Sequence, residues 1–193
     1  MRGYKKSKLR KNEILETAKD LFSKQGFRNT TIEDIATADS IARTTMYDYY
    51  KSKEEILYAL IDEIVEQPRE NLPEGTVKSQ LEILAADSIA RILNNFSLYK
   101  ILFQEMPTLE KQTADKIQSW QNQSMALVKQ VIMRGLAEGD FKTNWKAEDI
   151  VFTFRALIGQ KLADLLLSET RVQPEEEARH LIGLMWSGVG SAD

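Results

Sequence analysis

The sequence predicts an all-α protein. Apolar residues recur every three or four positions in one segment after another, and no convincing run alternates apolar and polar residues as a half-buried strand would. Glycine and proline separate these segments, where they end helices or form turns. We expect a three-helix N-terminal head that contains a helix-turn-helix, followed by a larger C-terminal helical bundle that dimerises.

Composition argues against several classes of protein. The 193 residues include no cysteine and one histidine, so we expect no disulfide, no metal site, no cofactor and no enzyme. No apolar run approaches the roughly 20 residues that span a bilayer, and the basic N-terminus lacks the apolar segment of a signal peptide. We therefore expect a cytoplasmic protein without a membrane partner.

The net charge of −3 conceals an uneven distribution. Residues 1–58 carry 12 basic and 9 acidic side chains, whereas residues 59–193 carry 14 and 20. The first eleven residues hold six basic groups and no acidic one. Such a basic arm fits contacts with phosphates, for which Lys5 and Lys6 are candidates; a solvated tail is the alternative.

Helical segments are predicted along the whole chain. The first runs from about Leu9 to Gln25 after a flexible arm at residues 1–8, and Gly26 ends it because glycine adopts the left-handed conformation at little steric cost. The helix that starts near Lys53 ends around residues 67–72, at the boundary between head and body. Helices in the body are expected at about 77–96, 98–105, 109–138, 147–169 and 174–189. The segment 109–138 is much longer than an average helix, so it is the one expected to contain a break.

The stretch from Thr30 to Lys53 predicts two short helices joined by a tight turn. Thr30 and Thr31 precede Glu33 and Asp34 with the spacing of a capping box, so either threonine could cap the first short helix. Two short helices of this kind, the second exposed and polar, have the geometry that fits a DNA major groove.

The second short helix is expected over residues 43–50, with Met46 and Tyr50 facing inward. Its outward side chains are Arg43, Thr44, Thr45, Tyr47 and Asp48. Arg43 is the best candidate for reading a base, because arginine can bind O6 and N7 of guanine together. A phosphate contact that only positions the protein is the alternative for Arg43.

The residues of the head carry a family resemblance. The positions concerned are Ile14-Leu15, Ala18, Leu21-Phe22, Gly26-Phe27, Thr30-Thr31, Asp34-Ile35-Ala36, Tyr47, Tyr49-Tyr50 and Ser52-Lys53. Together they resemble the N-terminal domain of TetR-family transcriptional regulators over about residues 10–60. The rest of the chain resembles the family only as a helical body of suitable length.

The resemblance implies a dimeric, ligand-responsive DNA-binding protein, most often a repressor. It implies phosphate contacts by Thr31 and Lys53, to which we add Thr30, and a backbone contact by Tyr49. It places Arg43, Thr44, Thr45 and Tyr47 on the groove face. The sequence departs from the family pattern at Ser40 and Thr44, where glycine is common, and at Ala42, where a serine cap is usual.

Aromatic and other bulky residues near the middle helices could line an apolar cavity for a small ligand, although ordinary core packing is the alternative for each of them. The candidates are Phe96, Tyr99, Phe103, Trp120, Met125, Phe152 and Arg155. No cluster of charges specifies the ligand, so we expect a small apolar or amphipathic molecule.

The last two helices combine small residues with more apolar surface than one core needs. Small side chains let helices approach closely, and excess apolar surface usually marks an interface. We expect a two-fold four-helix bundle formed by residues 147–189 of two chains. The candidate interface residues are Ala156, Gly159, Ala163, Leu181, Gly183, Leu184 and Ser187.

These observations predict a transcriptional regulator divided by function into a DNA-binding part at residues 1–52 and a ligand-binding and dimerisation part at residues 53–193. A repressor bound to a palindromic operator of double-stranded DNA and released by a small molecule is the preferred interpretation. The alternative is a DNA-bound adaptor that a protein partner controls and that has no small-molecule pocket.

Overall fold

The structure, a computed structural model, describes residues 2–65, 71–105, 111–141, 144–168 and 170–189. Over these ranges the chain forms ten α-helices, which confirms the predicted all-α class. They are α1 (Arg2–Gln25), α2 (Ile32–Ala38), α3 (Arg43–Tyr49), α4 (Lys53–Val65), α5 (Val77–Asn94), α6 (Phe96–Glu105), α7 (Lys111–Ser124), α8 (Ala126–Glu138), α9 (Ala147–Ser168) and α10 (Pro174–Val189). Within those ranges, no helix has both the length and the apolar character needed to cross a membrane.

The chain divides into two compact units. The head unit comprises Met1–Gln67 with Phe96–Asp115, and the body unit comprises Pro68–Asn95 with Lys116–Asp193. The division after residue 52 that the sequence suggests is one of function and stays a prediction.

The head unit is built on α1. The buried side of α1 holds Ile14, Ala18 and Phe22, all with at most 1% of their surface exposed. Helices α2, α4 and α6 pack against α1, and α3 contributes Met46, which is fully buried as predicted. A single apolar core therefore orients the two helices of the helix-turn-helix.

Helix α1 begins earlier than the sequence suggested. The predicted flexible arm at residues 1–8 is wrong from Arg2 onward, because the helix already starts there. Lysine and arginine are good helix formers, so a basic segment without proline can extend a helix whose apolar stripe starts only later. The end at Gln25 is as predicted, and Gly26 follows it with φ +85°.

The turn between α2 and α3 contains a strained residue. Ser40, one of the positions at which the sequence departs from the pattern of the family it resembles, adopts φ +56°, the left-handed conformation. Such a conformation costs a residue with a Cβ about 1–2 kcal/mol. The preceding residue, Asp39, is held by α1: Arg10 Nη2 donates to its carbonyl oxygen at 3.0 Å, and Thr17 Oγ1 donates to Asp39 Oδ1 at 3.2 Å.

The body unit packs α5 against α8, α9 and α10. Its core includes Leu81, Ile132 and Phe154, which are fully buried. Gly135 of α8 permits a close approach, because a Cβ built there would lie 2.6 Å from the Phe141 ring. This glycine is therefore required by packing inside the chain.

The predicted helix over residues 109–138 is interrupted, as its length led us to expect. Helix α7 ends at Ser124 and α8 begins at Ala126. The Ser124 hydroxyl donates to Gln121 O at 2.9 Å, a local bond that competes with the regular helical pattern. The other helices predicted after residue 72 lie within two residues of their predicted ends over the part of the chain that the structure describes. The helix predicted at 98–105 as part of the body is α6, which belongs to the head unit instead.

The strain at Ser40 generates a prediction. We expect Ser40→Gly to raise the free energy of unfolding by about 0.5–1 kcal/mol, because relief of the left-handed strain exceeds the extra unfolded-state entropy of glycine. Urea unfolding followed by far-ultraviolet circular dichroism measures this change. Ser40→Ala is the control, since alanine keeps the Cβ, and an equal gain for both variants would contradict the explanation.

Candidate nucleic-acid interface

Helix α3 presents a polar face on the head unit. Arg43 and Thr44 are exposed, and Thr45, Tyr47 and Tyr49 are partly exposed. This is the arrangement predicted for the groove face, and the contacts with DNA stay predictions. The N-cap of α3 is Ala42, which has no side-chain capping bond, so neither Asp39 nor Ser40 replaces the missing cap.

A carboxylate from α2 joins the face of α3. Glu33 Oε1 forms an ion pair with Arg43 Nη2 at 2.7 Å and accepts a hydrogen bond from the Tyr47 hydroxyl at 3.2 Å. The Arg43 guanidinium also lies 5.7 Å from the centre of the Tyr47 ring. The hydrogen bond with Tyr47, followed by the charge of Glu33, raises the pKa of Arg43, so this side chain remains cationic.

Of the two candidate caps, the structure selects Thr31. Thr31 Oγ1 accepts a hydrogen bond from Asp34 N at 3.1 Å, and Thr31 N donates to Asp34 Oδ2 at 2.8 Å, which completes a capping box. Hydrogen bonds from the side chain of Thr31, and then from its backbone N–H, to the carboxylate lower the pKa of Asp34. Thr31 is exposed beside the α2 N-terminus, a position compatible with its predicted phosphate contact.

Thr30 does not belong to the DNA-facing set. The residue is 0% exposed, and its hydroxyl donates to Gly26 O at 2.8 Å while it accepts a bond from Gln25 Nε2 at 3.2 Å. The prediction of a DNA contact is wrong for this side chain, because it is enclosed in the α1–α2 loop. Its function is to hold that loop together.

Lys53 also has a structural environment that the sequence did not suggest. Its ammonium donates to the carbonyl oxygens of Phe27 at 2.8 Å, Thr30 at 3.0 Å and Arg28 at 3.1 Å. It also lies 4.6 Å from the centre of the Phe27 ring. Since an ammonium has three N–H donors, a phosphate contact by Lys53 would require the loss of one of these bonds.

The residues around Lys53 begin α4 in the predicted way. Ser52 Oγ accepts a hydrogen bond from Glu55 N at 3.2 Å, as expected of a helix cap. Tyr50 faces inward and is 5% exposed. Burial of its phenol, followed by the charges of Glu63 and Glu55, raises the pKa of Tyr50 to about 12.

The predicted contacts of the basic arm lie outside the described residues. The backbone at Lys5 and Lys6 belongs to α1, but the side chains of both lysines are not among those that the structure describes.

The predicted ligand-pocket residues differ in exposure and are divided between the two units. Phe103 of the head unit is 46% exposed and Phe152 of the body unit is 69% exposed. Arg155 is exposed as well, whereas Tyr99 is buried in the head unit. The prediction of a pocket position is wrong for the three exposed residues, Phe103, Phe152 and Arg155, because their side chains lie on outward faces of α6 and α9. Phe96, Trp120 and Met125 are partly buried.

The body unit contains a small cleft with other residues on its wall. It lies between α5 and the region where α7 meets α8, and its volume is about 40 Å³. Ligand sites for drug-sized molecules usually measure about 300–1,000 Å³. The cleft is lined by Leu84, Asp87, Ser88, Arg91, Gln123, Ser124, Leu127 and Val128.

Most of the predicted interface residues lie on two exposed stripes of the body unit. We define the α9 stripe as Phe152, Ala156, Gly159, Ala163 and Leu167, and the α10 stripe as Gly183, Leu184 and Ser187. The prediction of an interface position is wrong for Leu181, because this residue is 8% exposed and belongs to the body core.

Comparison with known proteins relates this geometry to a family. Residues 14–60 match the family model described as bacterial regulatory proteins of the tetR family. Residues 74–160 match the model described as the tetracyclin repressor-like C-terminal domain. The chain belongs to the TetR family. It is a DNA-binding transcriptional regulator.

Individual TetR-family proteins resemble the chain over most of its length. The transcriptional repressor KstR2 of Rhodococcus jostii is 29% identical over 77% of this chain and 74% of its own. The fatty acid metabolism regulator protein of Bacillus subtilis is 22% identical over 67% of this chain and 70% of its own. A solved structure of FadR from Bacillus subtilis with stearoyl-CoA superimposes with a TM-score of 0.76 at 16% identity, covering 91% of this chain and 97% of that one. This last likeness shows a shared fold.

Several contacts in this TetR-family head were not predicted. Neither the pair of Arg10 with Asp39 nor the pair of Glu33 with Arg43 was predicted, and the only function expected of Glu33 was helix capping. The pairs Arg10–Asp39 and Glu33–Arg43 join residues 29 and 10 positions apart. No local pattern signals such contacts, because they depend on how the helices cross.

The environment of Lys53 yields a prediction that separates two functions. We expect Lys53→Met to lower the free energy of unfolding by about 2 kcal/mol, because three carbonyl groups lose a charged donor. We also expect the salt dependence of DNA binding to stay unchanged. Chemical denaturation and a salt titration of DNA affinity measure the two quantities.

Lys24→Met is the matched control for Lys53→Met. Lys24 is exposed and its ammonium pairs with Asp20 at 2.7 Å on the same helix, so its loss should change stability by less than about 1 kcal/mol. If Lys53→Met left stability intact and instead reduced the salt slope by about one, Lys53 would be a phosphate contact.

Proposed function

We propose that this TetR-family regulator is a homodimeric repressor that binds a palindromic operator and leaves it when an amphipathic ligand binds the body unit. The observation that carries the proposal is the exposed polar face of α3, on which the Arg43 guanidinium is held in place by Glu33 and Tyr47. The cytoplasmic location expected from the sequence is part of the proposal. Enzymatic activity is not.

The proposed DNA contacts follow from the chemistry of the face. Arg43 reads a guanine through two donors of its guanidinium, while Thr44, Thr45 and Tyr47 lie beside it on α3. Thr31 offers its hydroxyl to a phosphate beside the N-terminus of α2, and Tyr49 contacts the DNA backbone. A two-fold dimer would place two such faces about one helical turn of DNA apart.

Two glycines support dimerisation through the α9 and α10 stripes. A Cβ built at Gly159 or Gly183 meets no atom within 4 Å inside the chain, in contrast to Gly135. Glycine inside a helix costs about 1 kcal/mol relative to alanine, and packing within the body unit does not explain that cost. Close approach of a second copy explains it. The stripes also expose Phe152 and Leu184, apolar surface that such an interface would cover.

Dimerisation can be tested with a charge on the α10 stripe. Leu184 is 56% exposed, so Leu184→Glu should leave the fold intact but put a charge into the proposed interface. We expect sedimentation equilibrium to show a monomer. We also expect affinity for a palindromic duplex to fall by about a hundredfold or more, because the second half-site no longer binds intramolecularly.

Met133→Glu is the control for the dimer test. Met133 lies on α8 and is 55% exposed, so this variant introduces the same charge at an equally exposed apolar position outside the two stripes. It should remain a dimer. A Leu184→Glu protein that also stayed dimeric would refute this interface.

The relatives suggest the class of ligand. One relative is named a fatty acid metabolism regulator, and one structural neighbour contains stearoyl-CoA, so a long-chain acyl-CoA is our proposed ligand. The cleft of about 40 Å³ in the body unit is far too small for such a molecule. In the proposal, the ligand prefers a state of the body unit that differs from the DNA-binding state, and the DNA affinity falls by the difference in ligand affinity between the two states. A structural neighbour solved with a small molecule does not favour the adaptor alternative.

The ligand proposal can be tested with the full-length protein and a duplex that it selects from a random pool. We expect stearoyl-CoA to raise the unfolding temperature and to weaken binding to that duplex by about 5- to 150-fold, the usual range of such coupling. Free coenzyme A is the control and should do neither. Stabilisation without weaker DNA binding would refute the coupling, and the absence of any effect across acyl chain lengths would refute the ligand class.

A further inference from the structure

The carboxylate of Glu33 occupies an unusual position for a DNA-binding face. It projects from α2 to the first residue of α3, where its Oε1 lies 2.7 Å from Arg43 Nη2 and 3.2 Å from the Tyr47 hydroxyl. Its side chain is 41% exposed and that of Arg43 is 68% exposed. An acidic group on this surface opposes the negative charge of DNA, so its presence calls for a function.

The ion pair leaves Arg43 able to read a base. A guanidinium has five N–H donors arranged as a fork, and the pair with Glu33 uses Nη2. A guanine contact needs two donors that point at O6 and N7. Arg43 can therefore keep its bond to Glu33 while another edge of the guanidinium reaches the base, and the bond fixes the direction in which that edge points.

The ion pair with Glu33 affects a phosphate contact of Arg43 differently from a base contact. Phosphate and carboxylate are both anions, so they compete for the same guanidinium and repel each other when they lie close together. DNA without the proper base offers Arg43 only phosphates, and such DNA must overcome both the existing pair and the charge of Glu33. The carboxylate thus penalises binding to the wrong sequence more than binding to the right one.

We propose that Glu33 is a positioning residue that sets DNA sequence specificity by directing Arg43 toward a base and away from phosphates. The proposal rests on the proposed DNA-reading function of α3. It assigns to an acidic residue of α2 a role in discrimination that is separate from helix capping, which Thr31 and Asp34 already perform.

The first test compares Glu33→Gln with the wild-type protein on two duplexes: one selected from a random pool and one with the same bases shuffled. We expect Glu33→Gln to bind the shuffled duplex about two- to fivefold more tightly, the range that an exposed ion pair is worth. Its salt slope on that duplex should increase by about one, because Arg43 gains a phosphate. The ratio of the affinity for the selected duplex to the affinity for the shuffled duplex should fall by a similar factor.

Two further variants separate the ion pair from bulk charge. Asp20→Asn also removes one negative charge from the head unit, but Asp20 pairs with Lys24 on its own helix. This variant should therefore leave the ratio of the two DNA affinities unchanged. Glu33→Asp keeps the charge but shortens the side chain by one methylene. It should behave like Glu33→Gln if the pair with Arg43 matters, and like the wild type if only charge matters.

A double-mutant cycle tests whether Glu33 acts through Arg43. In an Arg43→Ala background, Glu33→Gln should no longer tighten binding to the shuffled duplex. A gain that persists without Arg43, or an equal gain from Asp20→Asn, would overturn the proposal. Failure of the underlying function would look different, because the wild-type protein would then show no preference for any selected duplex.

Discussion

The bonds from the Lys53 ammonium to three carbonyl oxygens hold the head unit in its observed form. The loop after α1 has carbonyl groups that no helix satisfies. Lys53, the first residue of α4, donates hydrogen bonds to three of them. Buried Thr30 closes the same loop through Gly26, and Thr31 directly after it caps α2. The position of α2, and therefore of Glu33, thus depends on where α4 begins.

The features of the head that depend on neighbouring residues in the sequence were predicted correctly. Gly26 ended α1 because only its conformation mattered, and Met46 was recognised as buried because it repeats the apolar pattern. The choice between Thr30 and Thr31 could not be made from sequence, since both have the spacing of a cap. The partners of Lys53 were missed for a related reason: its carbonyl acceptors lie 23 to 26 positions away, and nothing in the sequence marks an unsatisfied carbonyl.

The body was predictable as a set of helices but less so as a set of surfaces. Phe152 and Phe154 are two positions apart on α9 and therefore point in nearly opposite directions; the first is 69% exposed and the second is fully buried. Leu181 and Leu184 lie only three positions apart on α10, yet the first is 8% exposed and the second is 56% exposed. The sequence shows that aromatic and aliphatic side chains are abundant, but which face is inward follows only from the packing of α5 against its neighbours.

Helix α3 has little that fixes it locally. Its N-cap, Ala42, supplies no bond, and the turn before it contains Ser40 in a costly conformation. Contacts from elsewhere hold it instead: Arg10 anchors the turn at Asp39, Met46 packs in the core, and Glu33 binds the outer side chains. A helix held in this way follows its neighbours when they move. The same arrangement that makes α3 weakly determined by its own sequence therefore makes DNA reading sensitive to displacements of α1, α2 and α4, which is what a regulator released by a ligand requires.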